Sequence, residues 1–469
     1  MAVFILLTAL SFTACTTDTE TPGNGKSGVK SSSAESPSDI ERPEVPEGVD
    51  NAAEVLNELY ARSEDSGDAL AALESAGVEE MDDESRLVYA VLLRNEGRFD
   101  DSRKQLEQLL GDNPSGAVAW FNLALVEHAA GNEPARDEAL DAAIEADDTM
   151  ADAYALKGNL AIAASDWKRA EANLKRALEI EPESTESLVG LAWVMAKTER
   201  LNGALPLLNR AVEADPDFIY ARVDRSRINV ALNNYNDAED DLDYVIELEP
   251  DVPWHYLDRA RIRLRHFKDF DGAREDLETV ERLDPDNFFA LVYLAGLHDE
   301  ERRFAVSRSY YNRVVEMRPD YVWAYMPLGK FAWMAGDYKN AATWFAKASA
   351  EDPGEFSLTL MTAFSLLRSG NTREANKMFS ETLRKFEQGE TAYEVVRFCM
   401  ERSSDFYAIN ALNKEPNETL RERLWYYMGA MYEIEGNQAG SRAVFDRIAE
   451  RQGSMEYDLA YASLNGMGD

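Results

Sequence analysis

The sequence predicts an all-α solenoid of repeated helix pairs, on three observations. Pro114, Pro182, Pro216, Pro250, Pro285, Pro319 and Pro353 fall 34 residues apart or at a multiple of 34, with one interval of 35 between Pro250 and Pro285. A fixed period of that length marks one supersecondary unit used repeatedly. With units starting at Asp83, Ala117, Ala151, Thr185, Ile219, Pro253, Phe288, Val322, Phe356 and Glu422, the eighth residue is small: Ala124, Gly158, Ala192, Ser226, Ala260, Ala295, Gly329, Ala363 and Gly429. A second helix carries Ala170, Ala204, Ala238, Ala273, Ala341 and Ala375, with large Leu174, Leu208, Leu242, Leu277, Tyr311, Phe345, Phe379 and Phe445 to fill the seam between the two helices. Gly97, Gly131, Gly336, Gly370 and Gly436 mark the turn inside the unit.

Taken in chain order, residues 3–10 form an apolar run too short to span a bilayer, which needs about 20 residues. It leads into Phe12-Thr13-Ala14-Cys15, which resembles a bacterial lipobox. The resemblance implies a signal segment over 1–15 and acylation of Cys15, giving attachment to a membrane through lipid only; the alternative is an ordinary N-terminus that begins with an apolar stretch. Residues 16–48 are rich in Thr, Ser, Gly, Pro and acids with almost no aliphatic side chains, so a flexible tether is expected, reaching about 30 Å. Residues 49–82 read as a degenerate helix pair, 83–387 as tandem repeats, 388–421 as a divergent pair and 422–469 as a terminal repeat with a capping segment. The fourth residue of a unit is often aromatic or aliphatic, as at Trp120, Tyr154, Leu188, Tyr256, Leu291, Tyr325 and Trp425.

This pattern resembles the tetratricopeptide repeat family over 83–387 and again over 422–450. The resemblance implies a right-handed superhelix whose first helices line a concave groove that holds a protein or peptide. The physics agrees, since each helix pair buries its apolar face only against its neighbours.

Composition narrows the chemistry. Lys and Arg number 49 against 87 Asp and Glu in 469 residues, a formal charge of -38, which repels phosphate backbones and argues against a nucleic-acid partner. Two cysteines, Cys15 and Cys399, provide no disulfide framework, and His128, His255, His266 and His298 are scattered over different units. There is no phosphate-binding Gly-rich loop and no nucleophile elbow, so neither an enzyme nor a cofactor is expected.

Two kinds of arginine separate. Only the units starting at Ile219 and Pro253 have Arg at the seventh position, Arg225 and Arg259, and only these have Asp at the matching place on the second helix, Asp241 and Asp276. An arginine at a partly buried seam needs a carboxylate, so these four are read as structural ion pairs. The family resemblance further implies that the second, fifth, ninth, twelfth and thirteenth residues face the groove. Those positions hold Asn159, Trp193, Arg227, Arg261 and Lys330 (ninth), Tyr220, Trp254, Phe289 and Trp323 (second), and Arg265 (thirteenth). This basic and aromatic stripe suits an extended peptide bearing carboxylates. In the competing reading the rings wedge neighbouring repeats apart and the arginines neutralise Asp224, Asp258 and Glu300 beside them. The functional expectation is a lipid-anchored scaffold of the bacterial envelope, at the outer membrane or periplasmic face, binding protein or peptide. Its alternatives are a ligand-binding accessory lipoprotein of a transporter and a recruiting subunit of an envelope enzyme.

Overall fold

Several helices start where a short polar side chain takes up one of the first free backbone N–H groups. Asp82 accepts from the amide of Ser85, Asp166 from Arg169, Asp269 from Gly272, Asn287 from Ala290, Asp337 from Asn340 and Asn437 from Gly440. The computed structural model describes residues 81–402 and 404–465, with Gly67, Leu70, Ala71 and Glu74. The expected signal segment with Cys15, the tether at 16–48 and nearly all of the degenerate pair at 49–82 lie outside the described residues.

The fold is an all-α solenoid of helix pairs, and no strand occurs among the described residues. In order, the pairs are α1 (Asp83–Asn95) and α2 (Phe99–Asp112), α3 (Ala117–Ala129) and α4 (Glu133–Ala146), α5 (Ala151–Ala163) and α6 (Trp167–Ile180), α7 (Thr185–Lys197) and α8 (Leu201–Ala214), and α9 (Ile219–Ala231) and α10 (Tyr235–Leu248). They continue as α11 (Pro253–Ile262) and α12 (Phe270–Leu283), α13 (Phe288–Glu300) and α14 (Phe304–Met317), α15 (Tyr325–Met334) and α16 (Tyr338–Glu351), and α17 (Phe356–Arg368) and α18 (Thr372–Leu383). The last are α19 (Thr391–Glu401) and α20 (Phe406–Lys414), α21 (Glu418–Ile434) and α22 (Gln438–Ile448), and a single α23 (Met455–Asn465). The first helix of the terminal pair begins at Glu418, one turn ahead of the Glu422 start that the period predicts.

The seam shows why the eighth residue is small. A β-carbon on Gly158 would lie 2.6 Å from Leu174, and on Gly329 or Gly429 it would lie 2.7 Å from the ring of Phe345 or Phe445, distances no side chain tolerates. The fourth residue fixes one repeat to the previous one. Trp120 Nε1 donates to the carbonyl of Pro114 at 2.9 Å, the Tyr256 hydroxyl to that of Pro250 at 3.1 Å and the Tyr325 hydroxyl to that of Pro319 at 3.0 Å. Proline ends a second helix because it has no N–H, and its carbonyl is then held by the next unit.

The turn within each pair takes a left-handed residue. Gly97, Gly131, Gly336, Gly370 and Gly436 have φ of 71 to 87°, and the equivalent places elsewhere are filled by Ser165, Glu199, Asn233, Lys268 and Arg302 with φ of 56 to 66°. The single 35-residue interval also has a structural cause. After α11 the chain makes a π turn at Arg263–Phe267, which takes up the extra residue before the left-handed Lys268.

The chain divides into two compact units, one ending at Asp241 and one beginning at Leu242, the division falling within α10. In the C-terminal unit α23 departs from the repeat. It packs on α22 and α21 and also on α15, with Leu459 and Ala460 fully buried.

Candidate functional site

In the N-terminal unit the first-helix face carries Asn159, exposed on α5, and Trp193, half-buried on α7 with the Lys197 ammonium 4.4 Å above its ring. On α9, Tyr220 is exposed over less than half of its surface and meets Phe218 edge-on at 5.7 Å. Arg227 is exposed and its Nη1 lies 3.3 Å from Asp224 Oδ1. Burial raises the Asp224 carboxyl above its ordinary value despite the pull of Arg227.

In the C-terminal unit the same face is denser. Trp254 is 52% exposed and meets Phe289 edge-on at 6.4 Å. The Arg261 guanidinium lies 5.2 Å over the ring of Phe289 and 5.9 Å from that of Tyr293, while its Nη1 is 3.0 Å from Asp258. Arg265, in the π turn, donates to the Tyr293 hydroxyl at 3.4 Å. Trp323, in a short 3-10 turn ahead of α15, is 75% exposed. Arg227 and Arg261 thus both pair with the carboxylate three residues earlier, as in the neutralising reading.

Lys330 requires a correction. It does not stand as a cation lining an open groove: it is 2% exposed and its Nζ is held by Asp299 at 2.6 Å and Asp458 at 2.9 Å. Its partner on α13 is Asp299. Burial raises the Asp299 carboxyl, opposed by the charge and hydrogen bond of Lys330. The covering carboxylate comes from α23, which the repeat pattern does not reach.

The seam arginines have the partners read from the sequence and others besides. Arg225 donates from Nε to Asp241 Oδ2 at 2.9 Å and from Nη2 to Oδ1 at 2.6 Å, a two-pronged pairing, and Arg222 Nη1 reaches the same carboxylate at 3.4 Å. The hydrogen bond to Asp241 holds the Arg225 guanidinium above its ordinary pKa. Arg259 pairs with Asp276 in the same two-pronged way, at 3.0 and 2.6 Å, and with Asp243 at 2.7 Å. Arg263 adds a contact to Asp276 at 3.0 Å. Asp241 and Asp276 are both buried. The sequence reading missed Arg222 at a fourth position, where an aromatic is usual, and Arg263, which the inserted residue turns toward α12.

Among the described residues no group of three His, Cys, Asp or Glu could hold a metal ion, and no helix is long and apolar enough to cross a membrane. Cys399 is fully buried and its thiol is pushed up by burial, away from the thiolate that reaction requires.

These features define a helical repeat protein with exposed aromatic and arginine side chains on its first-helix faces. Two family models described as tetratricopeptide repeat match it, one at residues 161–228 and the other at 90–153, 223–288 and 294–356, together more than half of the chain. The chain belongs to the tetratricopeptide repeat proteins. A search of curated proteins finds no match. Among solved structures it is similar to the C-terminal part of a repeat-containing protein from Cytophaga hutchinsonii, with 12% identity over 52% of this chain and 99% of that one and a TM-score of 0.43. PilF of Pseudomonas aeruginosa shares 20% identity over 45% of this chain and 96% of that one, with a TM-score of 0.40. YrrB, described as a repeat protein with an unusual peptide-binding site, shares 23% identity over 40% of this chain and 95% of that one, with a TM-score of 0.36.

Proposed function

We propose that the chain is a non-enzymatic scaffold of the bacterial envelope, anchored by lipid at Cys15, that binds a protein or an extended acidic peptide on its first-helix faces. The observation that carries the binding reading is the cluster of Trp254, Phe289, Tyr293, Arg261 and Arg265. A folded chain gains by burying an indole, and tryptophan and arginine are the residues that dominate binding energy when a partner covers them. Here an indole more than half exposed stands beside a guanidinium already stacked over two rings.

The test is crosslinking of the lipidated protein to its partner in cells, comparing the native chain with a Trp254→Ala, Arg261→Glu variant. Loss of one such anchor costs about 2 kcal/mol or more, roughly thirtyfold in affinity, with the helical circular dichroism unchanged. Undiminished crosslinking of the variant would remove this surface from the function. The anchor has its own readout. Incorporation of a fatty-acid analogue should occur in the native chain and disappear in Cys15→Ser; persistent labelling of the variant would remove Cys15 as the acylated residue, and no labelling of the native chain would remove the anchor.

A further inference from the structure

The first-helix face of the C-terminal unit is already occupied over part of its length by the chain's own last helix. α23 brings two carboxylates and no cation to it. Asp458 accepts from Lys330 Nζ at 2.9 Å and from Arg302 Nε at 3.3 Å, and the Arg302 guanidinium lies 4.1 Å over the ring of Tyr461. Glu456, almost fully buried, accepts through one oxygen from Ser357 Oγ at 2.6 Å, the Tyr427 hydroxyl at 2.9 Å and Arg423 Nε at 3.2 Å. Lys330 is a ninth residue of its repeat, and Ser357 and Arg423 are second residues, positions that the family resemblance assigns to the groove.

The fit is incomplete. Beside α23 a half-open cavity of about 350 Å³ remains, lined by Trp333, Tyr338, Arg368, Glu433, Leu459 and Ala462. The recess is open to solvent, so part of the surface beneath α23 stays uncovered and has room for side chains larger than those of α23. The helix is joined to α22 by a six-residue connection, 449–454, in which Gly453 has a φ of 92° that only glycine adopts freely.

We propose that α23 is an internal ligand: the surface around Lys330, Ser357 and Arg423 is a docking site for an acidic, apolar helix of a partner protein, and α23 holds that site until such a helix displaces it. The inference rests on the protein-binding reading above, but on a different surface from the one around Trp254. Charge complementarity argues for the occupant. Arg302, Lys330 and Arg423 converge on two carboxylates two residues apart, and from the first-helix side Asp299 faces Lys330 and Glu355, at the start of α17, faces Arg423 at 2.8 Å, so three cations meet two acids of the scaffold and two of α23.

Amide hydrogen exchange of the full-length native chain tests displacement first. α23 should open on its own, its Leu459 and Ala460 amides exchanging at least tenfold faster than those of α17. Exchange of α23 only together with α17 would make it a fixed part of the core and overturn the proposal. The ligand chemistry is tested with a synthetic peptide of residues 454–465 and the full-length Glu456→Gln, Asp458→Asn variant. Removing both charges should deprotect α23 about a hundredfold while α15 and α17 stay protected. The native-sequence peptide should then bind the variant saturably, and the same peptide with both acids neutralised at least tenfold more weakly. Equal binding of the two peptides, or no binding to a variant whose α23 is deprotected, would refute an acidic-helix site. Failure here leaves the crosslinking result at Trp254 and Arg261 standing, so the two readings fail separately.

Discussion

Removal of Asp241 is the sharpest test of the seam assignment. The carboxylate is 2% exposed and takes two hydrogen bonds from Arg225 and a longer one from Arg222. Asp241→Ala leaves two guanidiniums beside a buried seam with the shared acceptor gone. Breaking a buried pair from one side costs about 3–5 kcal/mol. The lower end applies, because the Arg225 side chain is 21% exposed and Arg225 Nη1 keeps its bond to Asn209 Oδ1 at 3.1 Å. About 3 kcal/mol in a unit of this size lowers the melting temperature by roughly 6–12 °C. Asp237, exposed one turn earlier on α10, is the control, and Asp237→Ala should stay within about 0.5 kcal/mol of the native chain. Asp241→Asn keeps the shape and one acceptor and should fall between them. The measurement is thermal and urea unfolding by circular dichroism, with attention to whether one unit melts before the other. Equal melting temperatures for Asp241→Ala and Asp237→Ala would refute a structural role for the Arg225 pairing.

Two further outcomes follow from particular side chains. Glu199 is exposed at a left-handed turn with a φ of 61°, so Glu199→Gly should stabilise by about 0.5–1 kcal/mol, the steric relief exceeding the added freedom of the unfolded chain, while Gly131→Ala at the equivalent turn should destabilise by a similar amount; matching signs in urea titration would show that the turn is not strained. Asp224 has its pKa raised by burial, so between the ordinary 3.8 and its raised value the folded chain binds more protons, and stability falls as pH rises through that window. Asp224→Asn should therefore be at least as stable as the native chain at pH 7, the lost contact with Arg227 being worth at most about 1 kcal/mol, and the two should converge below pH 3.8; a gap that persists into acid would assign the effect to packing.

The repeat was legible because it is local. A unit of 34 residues must place its small residue, its seam residue and its helix-ending proline at fixed offsets, so Gly158 and Leu174 or Gly329 and Phe345 announce their contact by spacing alone. The 35-residue interval was visible as a number, but its solution was not. Whether an inserted residue lengthens a loop or widens a helix into a π turn depends on the hydrogen bonds around Arg263. Lys330 marks the limit of periodic reasoning. Its spacing gave it the same role as Arg261, and nothing within its repeat signals that Asp458, 128 residues later, closes over it. A lone helix after the last pair has no period to set its position, and it binds by charge and shape on side chains drawn from four repeats.

Two residues along one helix separate the structural arginines from the exposed ones. Position seven faces the second helix, and position nine is rotated by about 200° to the opposite side. Arg225 and Arg259 therefore meet buried carboxylates on the second helix, while Arg227 and Arg261, themselves more exposed, meet the acid one turn back on their own helix. In a chain of net charge -38, the cations of the ninth row already face carboxylates of their own: Asp224 for Arg227, Asp258 for Arg261, and Asp299 with Asp458 for Lys330. An acidic ligand arriving there exchanges one carboxylate for another, which brings little net Coulomb energy. Affinity must then come from the rings, and charge sets which ligands are admitted. That account expects Trp254→Ala to weaken capture more than Arg261→Gln, and the salt dependence of capture to be shallow. A steep salt dependence, or a greater loss with Arg261→Gln, would make the guanidinium the anchor in place of the indole.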